Sequence, residues 1–214
     1  MIGKRYPGYD VQSKRQTPSW NEATRRAIDE RLALPQEPRF FNAKEWEILN
    51  AVCARILPQP NDRPPVPVAA MVDAKVFGRR GDGYRDARLP PLHEAWRRGL
   101  TALDTEAKAR YNHSFAQLAE HEQDGLLAAM QTDDLNHPAW GGMPAAAFFS
   151  HRLVHDITNA YYGHPTAWND IGFGGPASPR GYVRLSENTR DPWEAAEAKP
   201  GLEHQALELN RRVQ

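Results

Sequence analysis

The spacing of two histidines, His151 and His155, makes them the clearest candidates in this sequence for binding a metal ion. They are four residues apart and Asp156 follows directly, so on a helix both imidazoles would lie on one face and could ligate a metal ion or a haem iron. A metallohydrolase would also need a glutamate base between them, whereas the intervening residues are Arg-Leu-Val. The alternative is that both histidines form hydrogen bonds at a helix surface or at an interface with a partner.

Other arrangements that could support catalysis are incomplete. The glycines of residues 172–175 follow no predicted strand and precede no Lys-Ser/Thr pair, which argues against a phosphate-binding loop. The carboxylate groups at Asp133–Asp134 and within residues 120–124 lie in polar stretches typical of a solvated surface. Cys53 lies on an apolar helical stripe, as expected for a buried, unreactive thiol. We therefore expect no catalytic residues in this chain.

Helical periodicity runs through most of the chain and predicts an all-α fold with many helices and irregular connections. The clearest helix follows Asn42, which can cap it, with Glu45 at the capping-box position and Pro58 after its end. The longest candidate runs from Met143 to Tyr162 and carries both histidines. Further helices are predicted over residues 21–34, 68–77 and 91–103, from residue 114, over residues 124–130, and in a short stretch of the tail.

The first and last segments of the chain differ from its centre. Residues 1–18 contain aromatic residues, Gly and Pro without periodicity, and they are predicted to form an extended arm that becomes ordered against another surface. Residues 19–185 are predicted to form a single helical domain. Residues 186–214 are predicted to form a polar tail that lies along a partner.

The last part of the predicted helical domain is rich in Gly, Pro and aromatic residues. Flexible linkers rarely contain large aromatic side chains, so this segment is predicted to be a structured loop. Its glycines permit tight turns that would present those side chains to another protein. The residues predicted to bind a partner are Trp168, Asn169, Ile171, Gly172, Phe173 and Tyr182.

Composition and charge exclude several classes of function. Lys plus Arg and Asp plus Glu both number 27, so the chain has no net positive field to hold it on nucleic acid or on an anionic membrane. No apolar run approaches the roughly 20 residues that a transmembrane helix needs. Arg25–Arg26 precede a segment too charged for a twin-arginine export signal, so no export signal is expected.

The order of several motifs resembles a known family. Phe40–Phe41 precede the capped helix, which ends in Ala-Arg-Ile-Leu-Pro at residues 54–58. Much later Phe148–Phe149 lie in a helix ending in Tyr161–Tyr162, and Trp-Asn-Asp-Ile-Gly-Phe-Gly-Gly-Pro follows at residues 168–176. In these motifs the chain resembles the gluconate 2-dehydrogenase subunit 3 family.

The resemblance implies a small, non-catalytic helical subunit of a larger complex. Its partner would be a large FAD-dependent dehydrogenase of the glucose-methanol-choline type that oxidises a sugar or polyol. The flavin and the catalytic residues would belong to that partner, with no cofactor in this chain, and a cytochrome c electron acceptor is an optional further partner. The family favours a periplasmic location together with the partner, with the cytoplasm as the alternative because no export signal is visible.

Two other functions remain open at this point. The first is a metal or haem protein that uses His151 and His155 as ligands. The second is a helical adaptor that works alone in the cytoplasm.

Overall fold

The structure is a computed structural model, which describes residues 5–34, 37–61, 63–178, 181, 190–191 and 193–213. Nine α-helices form in these described residues: α1 (Glu22–Leu32), α2 (Ala43–Ile56), α3 (Val68–Phe77), α4 (Leu92–Tyr111), α5 (Glu120–Gln131), α6 (Ala145–Phe148), α7 (His155–Gly163), α8 (Trp168–Ile171) and α9 (Glu203–Asn210). Shorter 3-10 helices lie at Val11–Gln16, Phe115–Gln117, Pro138–Trp140 and Pro165–Ala167. The prediction of an all-α fold is confirmed.

None of the helices described combines the length and the apolar character that crossing a bilayer would require.

Local sequence signals explain where α2 begins. The Asn42 side chain accepts a hydrogen bond from the Glu45 amide, and the Glu45 carboxylate accepts one from the Asn42 amide, so the predicted capping box is confirmed. The buried carboxylate of Asp73 accepts hydrogen bonds from the backbone amides of Arg39, Phe40 and Phe41. These three bonds fix the segment that leads into α2, and the one from the Phe41 amide satisfies a backbone donor that would otherwise be buried without a partner.

The segment after α4 differs from its prediction. The helix expected from Ser114 is only the 3-10 helix Phe115–Gln117, and the helix expected over residues 124–130 is the later part of α5. The buried carboxylate of Asp104 explains the short turn, because it accepts hydrogen bonds from the Ser114 hydroxyl at 2.6 Å and the Phe115 amide at 3.1 Å. Leu118 then adopts an extended backbone, which ends the turn before α5 begins.

The chain divides into two compact units. The first, here called the split unit, joins Met1–Leu34 with Tyr162–Gln214, and the second, the central unit, is Pro35–Tyr161. This grouping differs from the arm, single domain and tail expected from the sequence. The expected boundaries at residues 18 and 185 stay a prediction.

The central unit has a core of aliphatic and aromatic side chains. Trp96 of α4 makes edge-to-face contacts with Phe41 and Phe148, at ring-centroid distances of 5.8 and 5.6 Å. All three side chains are buried. Gly99, one turn along α4 from Trp96, allows the Phe148 ring to pack directly on the helix backbone, because a Cβ atom at this position would overlap the ring.

The split unit has its own core, in which early residues pack against late ones. Its buried cluster comprises Tyr9, Val11, Trp20, Ile28, Trp168 and Val213. Lys14 is buried beside this cluster, and its ammonium group donates to the Tyr9 hydroxyl at 3.1 Å, to the Gly174 carbonyl at 2.9 Å and to the Trp193 carbonyl. Lys14 of the predicted arm therefore connects the arm to Gly174 and Trp193, which come late in the chain and belong to the same unit.

Candidate functional site

The histidine pair predicted from the sequence lies at a cluster of charged side chains in the central unit. Its centre is Asp156, whose carboxylate is buried and lies 2.7 Å from the Lys75 ammonium. The same ammonium lies 2.5 Å from Asp82. Arg152 contacts both carboxylates, at 3.1 Å for Asp82 and 3.7 Å for Asp156, and the indole nitrogen of Trp96 donates to Asp156 at 3.0 Å. Two cations thus hold two carboxylates in fixed positions.

The two histidines contact different carboxylates. The Nδ1 atom of His155 lies 3.1 Å from Asp156, whereas Nε2 of His151 lies 3.2 Å from Asp86. The side-chain nitrogen of Asn159 is 3.1 Å from Nε2 of His155. Both imidazoles are partly exposed at one small cavity of about 10 Å³, which is large enough for about one water molecule. Each histidine therefore already has a hydrogen-bonding neighbour from the chain.

Two carboxylates of this cluster, those of Asp82 and Asp86, have pKa values below that of an ordinary aspartate. Burial opposes the ionisation of Asp82, but hydrogen bonds from Lys75 and Arg152 outweigh it and lower the pKa of Asp82. Hydrogen bonds from the Arg88 side chain and backbone hold the pKa of Asp86 well below its usual range. Both groups consequently stay ionised to a lower pH than an ordinary aspartate does.

A metal ion could be held here by Asp82, His155 and Asp156, whose potential ligand atoms lie within 4.8 Å of one another. The donor set of two carboxylates and one imidazole suits a divalent cation. However, the Lys75 ammonium contacts both carboxylates, so a metal would have to displace it or compete with its charge. His151 is not in this group of three.

An irregular helical turn positions the side chains of His151 and Arg152. Between α6 and α7 the residues Phe149–Val154 form a π-helix, which widens the helix over the segment that carries His151 and Arg152. Such turns are rare and often lie at functional sites. The sequence predicted one continuous helix from Met143 to Tyr162, and its periodicity gave no sign of the wider turn.

Sequence reasoning missed the other members of the cluster. Lys75 lies in the last turn of α3, whereas Asp82 and Asp86 lie in the loop that follows it. A dense run of charge in that loop was the available signal, with four arginines and two aspartates between residues 77 and 88.

Cys53 has the surroundings expected for an unreactive thiol. It is buried on α2 and lines a largely apolar cavity of about 360 Å³, beside the proline-rich segment that precedes α3. Burial raises the pKa of the Cys53 thiol to about 12. The thiolate that nucleophilic chemistry requires is therefore disfavoured.

The loop predicted to bind a partner lies in the split unit, and half of its predicted residues support the loop from within. Trp168 is only 3% exposed and donates its indole N–H to the Tyr162 carbonyl at 2.9 Å. The side chain of Asn169 accepts a hydrogen bond from the Val11 amide at 2.8 Å. Gly172 has φ +64°, and a Cβ atom there would lie 2.5 Å from the Tyr6 ring. These residues fix the shape of the loop.

Two other residues of the predicted set face outward. Ile171 is 43% exposed and Phe173 is 38% exposed. Phe173 rests edge-to-face on Trp168 with ring centroids 5.3 Å apart, and its backbone carbonyl accepts a hydrogen bond from the Tyr9 hydroxyl at 3.0 Å. Tyr182 lies outside the described residues. The loop therefore presents apolar side chains from a fixed backbone, and its role in partner binding stays a prediction.

Comparison with protein families gives a match over most of the chain. A family model described as gluconate 2-dehydrogenase subunit 3 matches residues 43–175, from the first turn of α2 to the end of the glycine-rich loop. Comparisons with curated proteins and with solved structures gave no match. The family match covers more than half of the 214 residues, and the motifs that carried the resemblance at positions 54–58 and 148–149 fall within it. The chain belongs to the gluconate 2-dehydrogenase subunit 3 family.

Proposed function

We propose that this chain is a non-catalytic small subunit that binds, stabilises and helps to mature a large FAD-dependent dehydrogenase of the glucose-methanol-choline type. Sugars or polyols are the substrate class of that partner, and the partner carries the flavin and the catalytic residues. The observation that carries the proposal is the family match over residues 43–175.

Features of the chain's own surface support a binding role. Ile171 and Phe173 are large, partly exposed apolar residues held by a buried Trp168. Protein interfaces are enriched in aromatic side chains, and a fixed backbone reduces the entropy that binding must overcome. The charged cluster, by contrast, has its two central carboxylates occupied by Lys75 and Arg152, which is an arrangement that orders loops.

The spectrum of purified protein tests this proposal. The chain purified alone should be colourless, and the complex recovered with it from the native host should show flavin absorption that stays with the large subunit after separation. A flavin bound stoichiometrically to the isolated chain would contradict the proposal. Recovery of the chain alone, as a stable monomer, would favour the stand-alone adaptor.

A second candidate function is metal binding, favoured by the proximity of Asp82, His155 and Asp156. If the histidines instead make only structural or interfacial contacts, the double variant His151→Gln/His155→Gln should keep the metal content of the wild type. The turnover of the assembled complex should change less than about twofold, since neutral hydrogen-bonding groups replace the imidazoles. Elemental analysis and turnover measured on the same complex check both. Joint loss of a stoichiometric metal and of turnover would establish the metal site.

A further inference from the structure

In the loop after α3 the two carboxylates contact neighbouring side chains, whereas some of the arginines face solvent. Both of its carboxylates are turned toward the protein, since Asp82 contacts Lys75 and Arg152, and Asp86 contacts Arg88 and His151. Their side chains are 23% and 16% exposed. The negative charge of the loop is therefore neutralised by neighbours within the central unit.

Arg85 and Arg88 make contacts within the loop, but the other two of its four arginines and the nearby aromatic side chains face solvent. Arg79 and Arg80 are exposed, and Phe77 is 52% exposed at the end of α3. The guanidinium of Arg39, also exposed, lies 4.7 Å above the centre of the Phe77 ring. Tyr84, further along the loop, is 74% exposed. We call Arg39, Phe77, Arg79 and Arg80 the basic face.

Several contacts fix this loop in one shape. The Arg80 amide donates to the Lys75 carbonyl at 3.1 Å, and the Arg85 guanidinium donates to the Leu89 carbonyl. Arg79 has φ +53°, a backbone conformation that a residue with a side chain adopts only where its surroundings hold it. Because the loop is ordered before any partner arrives, binding through it would cost little conformational entropy.

We propose that the basic face is a docking surface for an acidic patch on another protein and, resting on the function proposed above, that this protein is the large dehydrogenase subunit. Arginine and large aromatic residues are the side chains that contribute most often to the energy of protein interfaces. The balance of charge over the whole chain disfavours nucleic acid or an anionic membrane, because such ligands are held by an extended positive field. A local face of three exposed arginines and one exposed phenylalanine, with the Arg39 guanidinium above the Phe77 ring, better fits a small acidic patch.

Charge reversal tests this surface. The variant Arg79→Glu/Arg80→Glu should associate about tenfold more slowly with the purified large subunit at low salt, and its association should lose most of the salt dependence of the wild type. The neutral variant Arg79→Gln/Arg80→Gln should give a smaller loss of the same sign. The matched control is Arg26→Glu/Arg110→Glu, which makes the same change in net charge at exposed positions on α1 and α4 and should change the rate less than about twofold.

The outcomes separate this inference from the proposed function. If the large subunit binds the wild type and both Arg79/Arg80 variants at equal rates, the docking surface is wrong and the proposed function stands. If the large subunit does not bind the wild type, the proposed function fails, and a poly-glutamate peptide then tests the face alone. If the wild type binds that peptide and Arg79→Glu/Arg80→Glu does not, the basic face remains a docking surface for another acidic protein. If both bind the peptide equally, or neither binds it, the docking surface is rejected. Binding of duplex DNA that depends on Arg79 and Arg80 would also reject it.

Discussion

Replacing Trp168 by alanine is expected to lower the free energy of unfolding of the isolated chain by about 3–5 kcal/mol, the range for truncating a buried tryptophan or phenylalanine. The side chain is buried in the core of the split unit, and its indole N–H donates to the Tyr162 carbonyl. The cavity left behind would be lined by other members of the same buried cluster, Val11 and Trp20 among them. Denaturant unfolding of the variant and the wild type measures the difference.

Phe173→Ala is the matched variant, because the two rings touch but Phe173 is partly exposed. It should cost the chain only about 1 kcal/mol, mainly from the lost edge-to-face contact. If Phe173 contributes at the centre of an interface, its truncation should also weaken binding to the large subunit by roughly 30-fold, equivalent to about 2 kcal/mol. Equal loss of stability in both variants, with unchanged binding, would show that the loop only closes the core.

Asp156→Asn is expected to lower the free energy of unfolding by about 3–5 kcal/mol, because removing one partner of a buried ion pair leaves the other charges uncompensated. The amide keeps the shape of the carboxylate but cannot neutralise Lys75 and Arg152, both of which lie within 4 Å of it. The carboxylate accepts from the Trp96 indole N–H with one oxygen and from the Lys75 ammonium with the other. An amide has only one oxygen, so one of these two donors would face an NH2 group. Thermal and denaturant unfolding of the isolated chain give the value.

The control for this variant is Asp134→Asn, a change of the same chemistry at an exposed position, which should stay within about 0.5 kcal/mol of the wild type. Combining Asp156→Asn with Lys75→Met should show a coupling free energy of at least about 1 kcal/mol between the two sites. Strictly additive effects would mean that the Lys75–Asp156 contact at 2.7 Å does not contribute to stability.

Helices could be predicted where the sequence carries a local signal. Asn42 and Glu45 mark the beginning of α2, and the predicted range of residues 68–77 is that of α3. Ser114 also carried a local signal, and its backbone amide donates to the Gln117 side chain at 3.4 Å. The helix predicted from this residue is only a short 3-10 helix, because the carboxylate of Asp104, ten residues earlier, holds the turn in place.

The charged cluster could not be predicted because its members are far apart in sequence. Lys75 and Asp156 are 81 residues apart, and nothing local to either residue indicates the other. The histidine spacing drew attention to the correct helix, yet the π-helix and the loop aspartates decide which groups His151 and His155 contact. In the glycine-rich loop, composition predicted a fixed shape, but only packing distinguishes the buried Trp168 from the exposed Ile171.

The split unit also constrains the order in which the chain can fold during synthesis. Residues 5–34 leave the ribosome before the central unit, whereas their packing partners Trp168 and Val213 leave only after the whole central unit has been made. The central unit is continuous in sequence and can therefore form while synthesis proceeds, whereas the split unit must close a loop that contains it. Until then the apolar side chains of Val11, Trp20 and Ile28 remain without their late packing partners, so this early segment exposes apolar surface that can aggregate during synthesis.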